Sequence, residues 1–188
     1  MGTKWDNKIV IVDEKKYKIG ENAMNIKTRK LVKASLFAAI CFVVTMIIKI
    51  PSPFKGYINL GDSIVLLSGW MLSPGYGFLA AGLGSALADV FSGYLMYAPA
   101  TFVIKGLMAL IAYYLYESLH KKLKNSVSRI VSGIFAETVM VLGYFVFEGI
   151  LYGFGPSVVN VPANAVQGIA GLILGCVLAR IFKRNKLY

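Results

Sequence analysis

From Leu31 onward, apolar residues fall in long blocks separated by short stretches rich in charge, glycine or proline. The blocks predict helices over about Leu31–Ile48, Asp62–Leu72, Gly75–Tyr94, Ala98–Tyr116, Ser128–Leu151 and Pro162–Phe182. Five of them are long enough to cross hydrocarbon, which takes about 20 residues. The second is short and must start in the preceding loop, tilt, or be shielded by its neighbours. The fold class expected is therefore all-α integral membrane, with six transmembrane helices.

Composition agrees. The chain is 57% hydrophobic and 15% charged, with mean hydropathy +0.65, where a soluble domain is about half apolar and about a quarter charged. The net charge of +11 would suit nucleic acid if it formed one surface. It lies instead in short segments beside apolar blocks, the pattern by which membrane proteins set their orientation, so no nucleic-acid partner is expected. Cys41 and Cys176 each sit in an apolar block without CxxC spacing, as small core residues do. No cofactor or metal is implied.

Residues 1–23 differ from the rest. They are polar, with five Lys against four acids, and hold no apolar core ahead of a cleavage site, so they do not read as a signal peptide. Met24 opens a basic lead into the first block. Gly20-Glu21 can be encoded by GGAGAA, which resembles a bacterial ribosome-binding sequence just before a Met24 codon. Two readings stand: an over-extended start, or a short cytoplasmic tail. The expected organisation is an N-terminal polar extension over 1–23 and a membrane substrate-binding domain over 24–188.

Charge orients the six helices. Lys27, Arg29, Lys30 and Lys33 precede the first; Lys121, Lys122, Lys124 and Arg129 lie between the fourth and fifth; Arg180, Lys183, Arg184 and Lys186 close the chain. An even number of crossings puts all three clusters on one side, which the positive-inside rule makes cytoplasmic. Both termini are then inside the cell, in a plasma-membrane, multi-pass protein. Small residues four apart in GYGFLAAGLGSALA and in Gly171, Gly175 and Ala179 predict close helix packing within the bundle. Ala34 and Ala38, just after the basic lead, fit such packing or a partner's helix equally well.

The other half of the bundle carries the candidate chemistry. The loop KIPSPFKGYINLG, residues 49–61, cannot continue a helix through its prolines and glycines, yet Phe54, Tyr57 and Ile58 make it too apolar for a solvated linker. It suits a lid, or a connector lying along the membrane interface. Asp89 and Lys105 stand inside helices at comparable depth, where charge is costly and faces bundle interiors or water-filled cavities. They pair with each other or reach a ligand. Thr101 lies one turn from Lys105, Glu148 follows Tyr144 by one turn, and Asn164 and Gln167 share a face beyond Asn160. Amides bond ring nitrogens and hydroxyls, while aromatic side chains such as Tyr94, Tyr97, Phe102, Phe147 and Tyr152, with Met96, sandwich flat rings. Asp62 opens the second helix as an N-terminal cap would. Glu137, deeper in the fifth helix, is not counted as a ligand contact.

The chain has no P-loop, no H-E-x-x-H and a single histidine. A membrane enzyme using Asp89, Glu137 or Glu148, a self-sufficient carrier or a scaffold, and a binding subunit driven by an external engine are the readings that remain. A resemblance decides among them. KASLFAAI, FKGYINLGDSIVLLSGW, SALADVFSGYLMYAPATFVIKGLMA and NVPANAVQGIAG, in this order, resemble the substrate-binding S component of energy-coupling factor (ECF) vitamin transporters, over about Met24 to the end. The chain is most similar to the branch associated with hydroxymethylpyrimidine or vitamin B6 compounds, related to the riboflavin type. The resemblance implies a riboflavin-type S-component bundle with an extracytoplasmic lid between helices 1 and 2, and a small aromatic vitamin as ligand. It implies as partners a coupling membrane protein and two ATPase subunits, and no enzyme activity in this chain. Matched to the family pattern, Tyr57 and Asn59 belong to the lid, Lys105 to the fourth helix, Tyr144 and Glu148 to the fifth, and Asn164 and Gln167 to the sixth. Asp89, Tyr97 and Thr101 complete the candidate substrate site, and Ala34 and Ala38 match the family's docking surface for the coupling protein.

Overall fold

The computed structural model describes residues 6–52 and 56–184, with side chains from 25 to 182. The start of the polar extension, Phe54 in the loop and Lys186 at the end lie outside the described residues. The chain divides into two compact units, Met1–Lys33 and Ala34–Tyr188. The described elements, in order, are α1 (Asp6–Ile47), β1 (Lys49–Pro51), β2 (Tyr57–Asn59), α2 (Asp62–Met71), α3 (Pro74–Phe91), α4 (Ala98–Leu119), α5 (Asn125–Tyr152) and α6 (Phe154–Arg184). Four stretches are long and apolar enough to cross a membrane: Asn25–Ile47, Ala98–Leu119, Asn125–Tyr152 and Phe154–Phe182.

The second unit is turned inside out relative to a soluble domain. Leu79, Leu83 and Leu87, one turn apart on α3, are each nearly half exposed, as are Ile134 on α5 and Ile169 and Ile173 on α6. Facing lipid, these side chains cost nothing. The polar residues Asp62, Ser63, Ser68, Ser85, Thr101 and Lys105 are buried instead. Here the hydrophobic effect drives insertion, and close packing and interior hydrogen bonds hold the helices together.

The short second helix is answered by shielding. At 1.5 Å per residue, ten residues reach about 15 Å, half the hydrocarbon, and every residue of α2 from Asp62 to Trp70 is buried. Val65, Leu66 and Leu67 pack with Met108, Ala109 and Ala112 of α4 and with Ala136 and Met140 of α5. Trp70 donates from Nε1 to Ser132 Oγ of α5 at 3.0 Å, so its polar edge is satisfied without water. A Cβ on Gly69 would fall 2.5 Å from the Ala109 carbonyl oxygen and 2.9 Å from Ala112 Cβ; the α2–α4 approach leaves room for hydrogen only.

Two expectations change. Helix α6 starts at Phe154, eight residues before Pro162, and carries Pro162 inside it. Proline favours the first turn of a helix, which is why the sequence suggested a start there. The helix instead starts directly after Gly153, whose φ of 91° is open to glycine and strained for other residues. The loop of residues 49–61 also holds two short strands. β1 and β2 pair antiparallel with Lys49 opposite Asn59 and Pro51 opposite Tyr57.

The stripe of Ala34 and Ala38 faces α3. Ala34 is buried with Leu72 and Ala80, and Ala38 packs at the edge of the same cluster. A Cβ on Gly84 of α3 would meet the Ala38 carbonyl oxygen at 2.5 Å. The small residues let α1 and α3 approach closely.

The Gly69 contact generates a test. Gly69→Ala should lower stability by about 1–3 kcal/mol through overpacking, read as thermal unfolding in detergent. Gly75→Ala, where a Cβ meets nothing within 4 Å, should leave the midpoint unchanged or slightly raised.

Candidate functional site

The β1–β2 hairpin closes a cavity at the end of the bundle where α3 ends, α4 begins and α5 turns into α6. Ser52, Gly56, Tyr57 and Asn59 come from the hairpin segment, Asp89 from α3, Tyr94, Tyr97 and Thr101 from the α3–α4 junction, and Tyr144, Glu148, Asn164 and Gln167 from α5 and α6. The cavity measures about 40 Å³, room for about three waters.

Several hydrogen bonds tie the hairpin to the surrounding helices. Tyr57 donates from its hydroxyl to Asp89 Oδ1 at 2.6 Å. Burial first, and the Asp89 carboxylate beside it, push the Tyr57 phenol above its usual pKa, so it stays a donor. Asn59 donates its backbone N–H to Gln167 Oε1 at 2.9 Å, and Ser52 Oγ donates to Asn160 Oδ1 of α6. The Tyr57 ring also packs on Tyr94, centroids 5.2 Å apart, and Tyr94 continues to Tyr97 and Tyr97 to Phe147. An aromatic wall thus runs from the lid to α5.

Lys105 is the exception among the expected site residues. It lies below the cavity, 2% exposed, and its ammonium pairs with Asp62 of α2, which is fully buried. Lys105 Nζ stands 5.4 Å from the Tyr144 ring centroid, a distance at which the ring's negative face favours a cation. Gln167 Nε2 donates to the other Asp62 oxygen at 2.7 Å. Lys105 and Asp89 therefore do not pair with each other, and Asp62 does more than cap: its carboxylate anchors a chain running Lys105–Asp62–Gln167–Asn59 from α4 to the lid. A partner 43 residues away on another helix leaves no periodic mark on the sequence, which is why this pairing was missed.

Two acids face the cavity, and Lys49 stands near them, its Nζ over the Tyr57 ring at 5.4 Å from the centroid. Among the described lining residues these acids are Asp89 and Glu148. Glu148, 3% exposed, accepts from Asn160 Nδ2 at 3.0 Å and from the Tyr97 hydroxyl at 3.5 Å. Thr101 Oγ1 and the Tyr144 hydroxyl lie 2.9 Å apart. Asn164 is half-buried and lines the cavity; among the described residues its amide takes no hydrogen bond, so it is available to a ligand. Of the other expected aromatic surfaces, Met96 is mostly exposed and Phe102 packs on Phe78. Ser52 and Gly56 join the lining without a signal in the sequence. Asn160, noted only as a neighbour of Asn164, holds both Ser52 and Glu148.

Glu137 stays apart from this site. It is 6% exposed, and among the described residues neither carboxyl oxygen has a hydrogen-bond partner.

Comparison with known proteins places the chain among related sequences. The family model for the S component of ECF-type riboflavin transporters matches residues 25–184. An uncharacterised Pyrococcus woesei protein, described as lying in a gap 3′ region, is 37% identical over 76% of this chain and 94% of its own length. The thiamine precursor transporter HmpT of Lactococcus lactis is 25% identical over 86% of this chain and 92% of its own. Among solved structures, the S component of a bacterial ECF transporter superposes with a TM-score of 0.64 at 24% identity, covering 84% of this chain and 97% of the other. The S component for biotin from an ECF-type ABC transporter gives 0.61 at 16%, over 85% and 93%.

The buried pair makes a prediction of its own. Lys105→Met strands the Asp62 carboxylate and should cost about 3–5 kcal/mol, read as thermal unfolding in detergent. Adding Asp62→Asn, which keeps a hydrogen-bonding group toward Gln167, should recover much of the loss. Equal stability of the single and double variants would deny the coupling.

Proposed function

Since the chain belongs to the family of ECF-type riboflavin transporter S components, a family of substrate-binding membrane proteins and not of enzymes, we propose that it captures a small aromatic vitamin or precursor, hydroxymethylpyrimidine or a B6 vitamer. S components work with a shared energising module. In this reading the module is a coupling membrane protein with two ATPase subunits, which hydrolyse the ATP, while this chain lies in the bacterial plasma membrane. The cavity faces outward, the basic ends and both termini face the cytoplasm, and the β1–β2 hairpin is the lid.

The observation that carries the substrate class is the set of polar side chains on the described cavity wall. Two carboxyl groups among the described lining favour a ring rich in donors, such as an aminopyrimidine. Thr101, Tyr144 and Asn164 supply neutral hydrogen bonds, and Tyr94 and Tyr97 supply faces for a flat ring. Thiamine is built from a pyrimidine and a thiazole, so the likeness to a protein named a thiamine precursor transporter supports the same class. A flavin is the second reading, favoured by the description of the matched family.

Mass spectrometry of small molecules released by denaturing the purified protein tests the proposal, followed by titration of what is found. Hydroxymethylpyrimidine or a B6 vitamer is expected; a flavin as the bound species would overturn the substrate class. Glu148→Gln should weaken binding by about 10- to 100-fold, the worth of a hydrogen bond to a charged group. Asn164→Ala should weaken it about 3- to 10-fold, a neutral bond, with unfolding unchanged. Full affinity in both variants would remove them from the site.

A further inference from the structure

A second built cavity lies at the opposite end of the α5–α6 pair. It measures about 420 Å³ and is formed by the first turns of α5 and the last turns of α6. Arg129 and Arg180 line it from the two sides, with Asn125 at the start of α5, and Ile130, Val177 and Ile181 make its apolar walls. Among the described residues no carboxyl group belongs to the lining. We propose that this groove binds the phosphate of an anionic phospholipid, with the acyl chains lying along the α5–α6 seam.

Three observations converge. Charge comes first. Arg129 is 7% exposed and held in place over the Tyr116 ring at 5.6 Å, so it is a fixed cation and not a solvated surface arm. Arg180 is exposed beside it, and the exposed Lys121, Lys122 and Lys124 add positive potential just before α5. Basic pockets between membrane helices on the cytoplasmic side suit anionic headgroups. The α5 start adds to this: Lys124 caps it with no side-chain hydrogen bond, and its first turn holds no acid, leaving amide N–H groups toward an anion.

Depth comes second. The 28 residues of α5 span about 42 Å, the thickness of a bilayer with its headgroups. The first turns of α5 therefore stand at the level of lipid phosphates, and Arg129 is one turn further in. The third observation is the apolar track leading away from the groove. Ile130, Ile134, Ile173 and Val177 are each about half exposed, and they continue from the arginines toward the middle of the membrane. A basic head site opening onto an apolar track describes an amphiphile. An acidic protein segment would use the head site and leave the track uncovered.

Native mass spectrometry of the full chain in detergent, titrated with phosphatidylglycerol and with phosphatidylcholine of the same acyl chains, decides the matter. Phosphatidylglycerol adducts are expected at least fivefold more abundant at equal concentration. Arg180→Gln should remove most of that preference, with helical circular dichroism and elution unchanged; Arg129→Lys, which keeps the charge, should keep it. Equal adducts for the two lipids, or a preference that survives Arg180→Gln, would overturn the proposal. Displacement of phosphatidylglycerol by millimolar inorganic phosphate would also overturn it, since the groove would then be a free-anion site.

Discussion

A carboxylate and an ammonium meet in the interior of this bundle, and much else follows from where they meet. Either Asp62 or Lys105 alone would be prohibitive at that depth; together, with Gln167 on the remaining lone pair, they are tolerable. The pair joins α2 to α4 and, through Gln167, to α6 and the lid strand. Asp62 sits in the first turn of α2, where the helix dipole adds to the stabilisation of negative charge. The pair also sets the electrostatics of the cavity above it. Because Lys105 pairs with Asp62, it stays out of the lining, where Asp89 and Glu148 are the carboxyl groups among the described residues.

Lid and floor are thereby one system. Asn59 bonds the same Gln167 that bonds Asp62, and Tyr57 bonds the same Asp89 that faces the cavity. Each latch uses a group that a ligand would also use. In the proposed role, opening the hairpin would expose hydrogen-bonding capacity as a substrate arrives, and the empty and occupied states would compete for the same partners. At the other end, about 33 Å away along the 22 residues of α4, Arg129 and Arg180 line the second cavity. The two ends of the bundle are separated by an apolar core of Val65, Leu66, Met108 and Met140.

How much of this was legible in the chain depends on the range of the interaction. Apolar blocks are local, so the membrane class and the approximate helices could be read directly, and the cavity residues followed because Thr101, Tyr144, Glu148, Asn164 and Gln167 mark faces of single helices. Tertiary choices were not local. Lys105 had two acids within reach, Asp89 and Asp62, and nothing in the spacing told them apart. Ala34 and Ala38 carry the same stripe whether it meets α3 or a partner. Pro162 reads as a beginning because prolines usually are one, and only the turn at Gly153 shows that the helix had already begun.

That turn has a mechanical consequence. A single residue, Gly153, separates α5 from α6, too little chain to act as a hinge between independent rods. Glu148 on one side and Asn160 and Asn164 on the other are thus carried by one stiff elbow, reinforced by the Asn160–Glu148 bond across it. Whatever motion admits a guest, this half of the chamber travels as a unit, and compliance falls to the hairpin.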